Sequence, residues 1–236
     1  ALMSRSDEIL AVGRRLSYRL SSLSFSAAYV YDTFDYAWDG WQAYVGRWLT
    51  RPIEVLLLGM NPGPWGMAQT GVPFGEVAAV GEWLELSPTI GKPRVEHPKR
   101  PIDGMACSRS EVSGRRLWGL FAKLYGSPAR FFARFALLNY CPLVFMSESG
   151  RNITPDKLPK GERLPLLEAC DTHLSEVIEI LEPSLLVGIG RFAETALKRV
   201  APEELEVRRV LHPSPANPAA NRDWEGAAKA ALEGVL

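Results

Sequence analysis

Four short runs of this chain carry the strand pattern, three of them apolar at nearly every position and the fourth apolar at half, and segments of helical period separate them. They are residues 53–59 (with Val55-Leu56-Leu57-Leu58), 133–139, Ser184 to Ile189, and 206–211. A strand with one wet face alternates apolar and polar residues, whereas a strand that is apolar throughout is covered on both faces. The spacing predicts helices over 5–24, 75–86, 113–126, 164–181, 191–200 and 223–234. Strands alternating with helices in this way set the fold class as α/β, a parallel sheet with helices on both faces. No internal repeat or low-complexity linker divides the chain, so residues 1–236 read as one domain, its N-terminal helix inside residues 1–24. The aromatic-rich stretch 26–50 reads as a helix or loop docked on the core, and 147–163 as a polar loop.

Open parallel sheets build their sites at the carboxyl ends of their strands. The first run ends in Gly59-Met60-Asn61-Pro62-Gly63-Pro64-Trp65-Gly66, the fourth in His212-Pro213-Ser214-Pro215-Ala216-Asn217-Pro218. Proline and glycine fix the backbone of such loops, so each holds one strongly polar side chain rigidly. Asn61 is either the turn residue of Asn-Pro-Gly or an amide that fixes a water or a carbonyl. Having no titration near neutral pH, it is no general base. His212 is either a strand-end imidazole tied to the backbone or a donor to a developing anion. Asn139, ending the second run, either caps the next turn or reads the donor/acceptor edge of a base. Phe74 either packs in the core or offers a face for a planar ligand. Gly188-Ile189-Gly190-Arg191-Phe192-Ala193 has the G-x-G-x-x-A form, but it follows the third run rather than opening a first βαβ unit. It reads as a tight strand-to-helix turn.

Composition narrows the classes further. With 27 basic and 27 acidic residues the formal charge is zero, which argues against simple coating of nucleic acid and leaves room for local basic patches. Such patches fall in the segments 92–116 and 151–163. Cys107, Cys141 and Cys170 form no CxxC, and neither His97 nor His173 sits at zinc-ligand spacing with a cysteine. The reading is an intracellular protein without disulfides, metal or cofactor. No apolar run reaches the ~18 residues of a membrane span.

The strand-end residues extend into longer matches. Gly59 to Gly75 resembles the first motif of the single-strand-selective monofunctional uracil-DNA glycosylases, and His-Pro-Ser-Pro-x-Asn-Pro-x-x-Asn at 212–221 resembles their second. Supporting matches are His97-Pro98-Lys99-Arg100-Pro101, Ser110-Glu111-Val112-Ser113-Gly114, Asn139-Tyr140-Cys141-Pro142-Leu143 and Arg151-Asn152-Ile153-Thr154-Pro155. The resemblance implies a three-layer α/β/α sandwich on a central four-stranded parallel sheet. It implies hydrolysis of the N-glycosidic bond of uracil and of 5-hydroxymethyl-, 5-formyl- and 5-hydroxyuracil, with xanthine as a further substrate, in single- and double-stranded DNA. The product is an abasic site. A catalytically weak damaged-base or DNA-binding module on the same scaffold is the alternative.

Carried over by residue, the resemblance makes Asn61 the holder of the attacking water and His212 the stabiliser of the departing base. Met60, Gly63, Met67, Phe74 and Asn139 bind the base. Gly63 leaves space beside its 5-position. Arg151, Asn152, Pro213, Ser214, Pro215, Ala216 and Asn217 contact DNA, and Ala216 stands where the family's wedge carries arginine. The partner is DNA, with the base flipped into the pocket of a monomer. The location is a bacterial cytoplasm and its nucleoid, or the nucleus of a eukaryote. Glycoside hydrolysis ordinarily uses two carboxylates, and neither motif contains one. Orientation and the His212 hydrogen bond must carry the rate, so a slow enzyme is expected.

Overall fold

Alternation of apolar runs and helices is realised as two sheets, seen in a computed structural model that describes residues 2–236. In chain order the elements are α1 (Arg5–Ser21), β1 (Tyr29–Asp32), α2 (Thr33–Tyr36), α3 (Trp38–Trp48), β2 (Val55–Gly59) and α4 (Met67–Thr70). There follow α5 (Val112–Tyr125), α6 (Pro128–Phe132), β3 (Phe135–Asn139), β4 (Leu143–Met146), β5 (Asn152–Ile153), α7 (Lys160–Leu181), β6 (Leu185–Ile189), α8 (Arg191–Val200), β7 (Glu206–Val210) and α9 (Pro218–Ala231).

The main sheet has the order β3-β2-β6-β7, with every pair parallel. Strands β2 and β6 are buried at every residue. Because successive side chains point to opposite faces, both faces must be covered, which gives the layered α/β arrangement expected from the apolar runs. At the edge, β7 keeps Glu206 and Arg209 exposed, and a charged edge discourages pairing with another chain. The chain goes from β2 to β3 on one side and then to β6 on the other, so a switch point lies at the carboxyl ends of β2 and β6. One hydrophobic cluster runs from Ile9 to Leu232.

Several expectations need correction. The stretch 26–50 contains β1, α2 and α3. The loop at 147–163 contains β5, and α7 begins within it. Strands β1, β4 and β5 form a second, antiparallel sheet. The helix expected over 75–86 closes in a π-helical turn at Ala79–Trp83. Helix α9 starts at Pro218, because Asn217 caps it by accepting from Ala219 N–H at 3.0 Å and proline suits the first turn. The N-terminal helix spans Arg5–Ser21; residue 1 lies outside the described residues.

Burial also places a titrating group in the core. His173 of α7 is buried, and its Nε2 has no hydrogen-bond partner. Burial first, then the charges of Arg15 and Arg19, push its pKa down to about 4. Its folded pKa therefore lies below the unfolded value, so the unfolded chain takes up the proton first. Stability is lost as pH falls from the ordinary histidine range toward 4, by roughly 3 kcal/mol. Asp32, pushed up to about 6 by burial, acts in the opposite sense, so the informative quantity is a difference. Urea unfolding at pH 7 and pH 4.5 should show a smaller acid loss for His173→Leu than for the wild type. Equal losses would remove this role from His173.

Candidate active site

The turns after β2, β3 and β7 meet around a cleft of about 470 Å³. Its lining includes Met60, Asn61, Gly63, Phe74, Asn139 and His212, residues far apart in sequence. The register explains part of the convergence. Gly59 and Asn139 are paired at the ends of neighbouring strands, and Tyr140 N–H and Cys141 N–H donate to the carbonyls of Gly59 and Met60, both at 2.9 Å.

Asn61 is oriented by the second sheet. Its Nδ2 donates to the carbonyl of Leu143, the first residue of β4, at 3.0 Å. With the amino group so used, the amide oxygen of this cleft-lining residue is left as an acceptor. The sequence left open a turn role or a water-holding role; the turn is real, and its side chain is anchored 82 residues away.

His212 is half-buried, and burial lowers its pKa. The ring is thus neutral near pH 7. Ser214 N–H donates to its Nδ1 at 3.1 Å, which fixes Nδ1 as acceptor and puts the ring proton on Nε2. A neutral imidazole in this tautomer is a hydrogen-bond donor with no proton to release cheaply. Arg116 steadies the same loop, donating to Pro213 O and Asn221 Oδ1, both at 2.9 Å, while Asn221 Nδ2 donates to Pro215 O at 2.7 Å.

Asn139 places Nδ2 against the Met67 sulfur at 3.2 Å and leaves Oδ1 buried without a partner. A buried acceptor left unpaired costs roughly 1–3 kcal/mol unless something binds it. Phe74 has φ +52°, a left-handed conformation that is strained for a bulky residue. Its ring is 6.0 Å from that of His212, tilted by 42°. Gly59 matters here too: a Cβ there would run into Asn139 Oδ1 and the Phe74 ring. Gly59→Ala should therefore raise KM for a base-containing substrate about tenfold or more, as displaced recognition groups weaken binding. Unchanged steady-state KM would show that the two side chains tolerate the methyl.

Other expected site residues divide. Asn152, Ser214 and Pro215 line the cleft. Met67 is buried behind Asn139 instead of lining it, Arg151 is exposed away from it, and Ala216 is exposed at the tip of the loop. Pro213 is buried, and Asn217 is a helix cap. Of the basic residues in 92–116, Arg109 and Arg100 stack near Trp65 at the cleft, 4.3 and 5.7 Å from the ring centre. Trp65, Thr154 and Glu111 are cleft residues to which the sequence reading gave no role. Glu111 also corrects the empty space expected at Gly63, since a Cβ on Gly63 would meet its carboxylate oxygen.

A parallel-sheet cleft with an amide, a donor imidazole and an aromatic face, and no carboxylate at its strand ends, defines a class. The sequence model of the uracil DNA glycosylase superfamily matches residues 50–233. The single-strand selective monofunctional uracil-DNA glycosylase of Rattus norvegicus is 47% identical over 224 residues, covering 93% of this chain and 81% of the rat protein. The Bos taurus protein of that name is 48% identical over 223 residues, covering 92% and 82%. A crystal structure of wild-type SMUG2 from Pedobacter heparinus superposes with a TM-score of 0.68 over 97% of this chain and 95% of that one; at 15% identity it supports the fold alone. The chain belongs to the uracil-DNA glycosylase superfamily and, within it, to the single-strand-selective monofunctional uracil-DNA glycosylase family. It is a glycosylase, an enzyme of DNA repair.

Proposed function

We propose that this enzyme flips uracil and 5-oxidised uracils out of DNA and hydrolyses their N-glycosidic bond, leaving an abasic site. The observation that carries the reading is the buried, unpartnered Oδ1 of Asn139. The imide N3–H of uracil is a donor suited to that acceptor, and cytosine has none at the same position. Phe74 stacks on the ring. The Nε2–H of His212 donates to O2 as negative charge spreads over N1, O2 and O4, and the Asn61 amide oxygen holds the water that attacks C1′. Stabilisation arises only as charge develops, which lowers the barrier instead of merely tightening binding.

DNA approaches across the cleft mouth. Arg109 beside Trp65 offers a cation and a flat face, Asn152 and Thr154 line the same cleft, and in this reading the loop Ser214-Pro215-Ala216 enters the vacated stack. Ala216 presents only a methyl there, so this wedge is weak, which favours substrates whose bases are already unstacked. Both single- and double-stranded DNA are accepted by a monomer under this reading. The enzyme acts where genomic DNA is held; mammalian relatives lend no support to a bacterial nucleoid. Among the described residues, no helix is long and apolar enough to cross a membrane.

The test is an excision panel. End-labelled strands carrying uracil, 5-hydroxymethyluracil, xanthine or hypoxanthine are incubated with the protein and treated with alkali. Cleavage at uracil and 5-hydroxymethyluracil supports the reading; binding without cleavage would make the chain a damage-binding module.

A further inference from the structure

A second unsatisfied polar atom lies in the same cleft. Glu111, the residue before α5, has Oε2 buried without a hydrogen-bond partner, and the carboxyl is among the cleft's lining groups. It rests on motif-one backbone at two glycines. A Cβ at Gly63 would collide with Oε2, and a Cβ at Gly66 would come within 2.5 Å of both carboxylate oxygens. These glycines are thus the residues that let an acid side chain into the pocket wall. A nested, desolvated carboxyl with nothing bonded to it is costly in a resting enzyme, so a ligand group that pairs with it gains binding energy.

Ring geometry says which ligand group that is. The inference rests on the uracil reading given above. With N1 toward the sugar, O2 on His212 and N3–H on Asn139, the next edge round the ring is O4 and C5. Of the cleft's lining, Gly63 and Glu111 are left to form the wall there, with Gly66 behind the carboxylate. We propose that Glu111 is a specificity-determining residue that hydrogen-bonds a polar substituent on C5 and disfavours the methyl of thymine. A hydroxymethyl group donates to one carboxyl oxygen. A formyl oxygen accepts from the carboxyl O–H. Uracil leaves room for a water at the same place. A methyl group displaces that water and leaves the carboxyl unpaired, and sites built to pair a polar group discriminate strongly against analogues that lack it.

The protonation state supports the same role. Burial first, and the charge of Glu76 second, push the Glu111 pKa up to about 7. Near and below neutral pH the group is then an acid with both a donor and an acceptor. Above that it becomes a carboxylate facing a base that departs as an anion, which opposes the reaction. The ionisable groups around it are Glu76, bridged through the Ser110 hydroxyl to Arg115, and the neutral His212 across the cleft.

The experiment measures single-turnover kcat/KM for uracil, 5-hydroxymethyluracil and thymine in one sequence context, with wild type, Glu111→Ala and Glu111→Gln, from pH 6 to 9. In Glu111→Ala the ratio of 5-hydroxymethyluracil to uracil should fall at least about tenfold, and the ratio of thymine to uracil should rise, whatever loss the substrates share. In Glu111→Gln, which keeps a donor and an acceptor but cannot ionise, the wild type's decline above pH 7 should flatten. Unchanged ratios in Glu111→Ala, or a common loss alone, overturn the inference. If Glu111→Ala does not fold, an unaltered alkaline decline in Glu111→Gln overturns it equally. A wild type that releases no uracil would instead overturn the proposed function on which it rests.

Discussion

Replacing His212 by alanine should lower the single-turnover rate of uracil release by on the order of 100-fold or more while DNA binding survives. Loss of one preorganised donor to a developing oxyanion has that magnitude, roughly 3–4 kcal/mol in the barrier. The basis here is specific. Ser214 N–H occupies Nδ1, so the ring has a single tautomer with Nε2–H available, and burial keeps it neutral. Neutrality has a consequence for pH. Below its lowered pKa the ring takes a second proton on Nδ1, which then opposes the Ser214 N–H, so the loop loses its anchor. Activity should hold through the ordinary histidine range near 6.5 and fall only on further acidification. Stopped-time release assays on His212→Ala check the first statement. A loss of only a few-fold would move charge stabilisation to another group.

Asn61→Ala should cost about as much, on the order of 100-fold, because a water without its acceptor is no longer held in line with C1′. Base binding should change little, since Asn139 and Phe74 supply it, so the loss should lie in kcat and leave KM nearly as it was. Asn61→Asp is the sharper variant. A carboxylate cannot donate to Leu143 O, and it would face that carbonyl at the 3.0 Å where the amide now bonds. An aspartate introduced alone is therefore expected to recover less than the full rate even though a carboxylate is the stronger base. Wild-type rates in Asn61→Asp would show that the Leu143 anchor is dispensable.

Asn61, Phe74, Asn139 and His212 were legible in the sequence for one physical reason. Asn61, Asn139 and His212 each end an apolar run or sit in the rigid turn after it, Phe74 belongs to the Pro/Gly-rich continuation of the first such turn, and a parallel sheet brings such ends together. The inner strands β2 and β6 were legible for the same reason, since strands covered on both faces are apolar throughout, whereas the edge strand β7 carries Glu206, Arg208 and Arg209. What escaped was built from short or distant pieces. Strands β1 and β4 have four residues each and β5 has two, too few for a period to register, yet together they carry Leu143 and Asn152 to the site. Glu111 lies in a proline-rich basic stretch without periodicity, and its environment comes from Gly63 and Gly66 in another segment. Asn217, a DNA contact by its place in the motif, is also the cap of α9. Asn followed by Pro signals a helix start, and the fold has one there. Met67, a base-binding residue by the motif, is buried one layer behind the cleft with its sulfur against the Asn139 amide nitrogen.

In the proposed reaction this cleft breaks the bond between deoxyribose and a flipped uracil. Its most direct measurement follows free uracil by chromatography after incubation of a single uracil-containing DNA strand with stoichiometric protein. One equivalent of uracil and an intact but alkali-labile strand are expected, with both products suppressed together in His212→Ala. A bound strand that releases no uracil, or a His212→Ala protein that releases it at the wild-type rate, would contradict it.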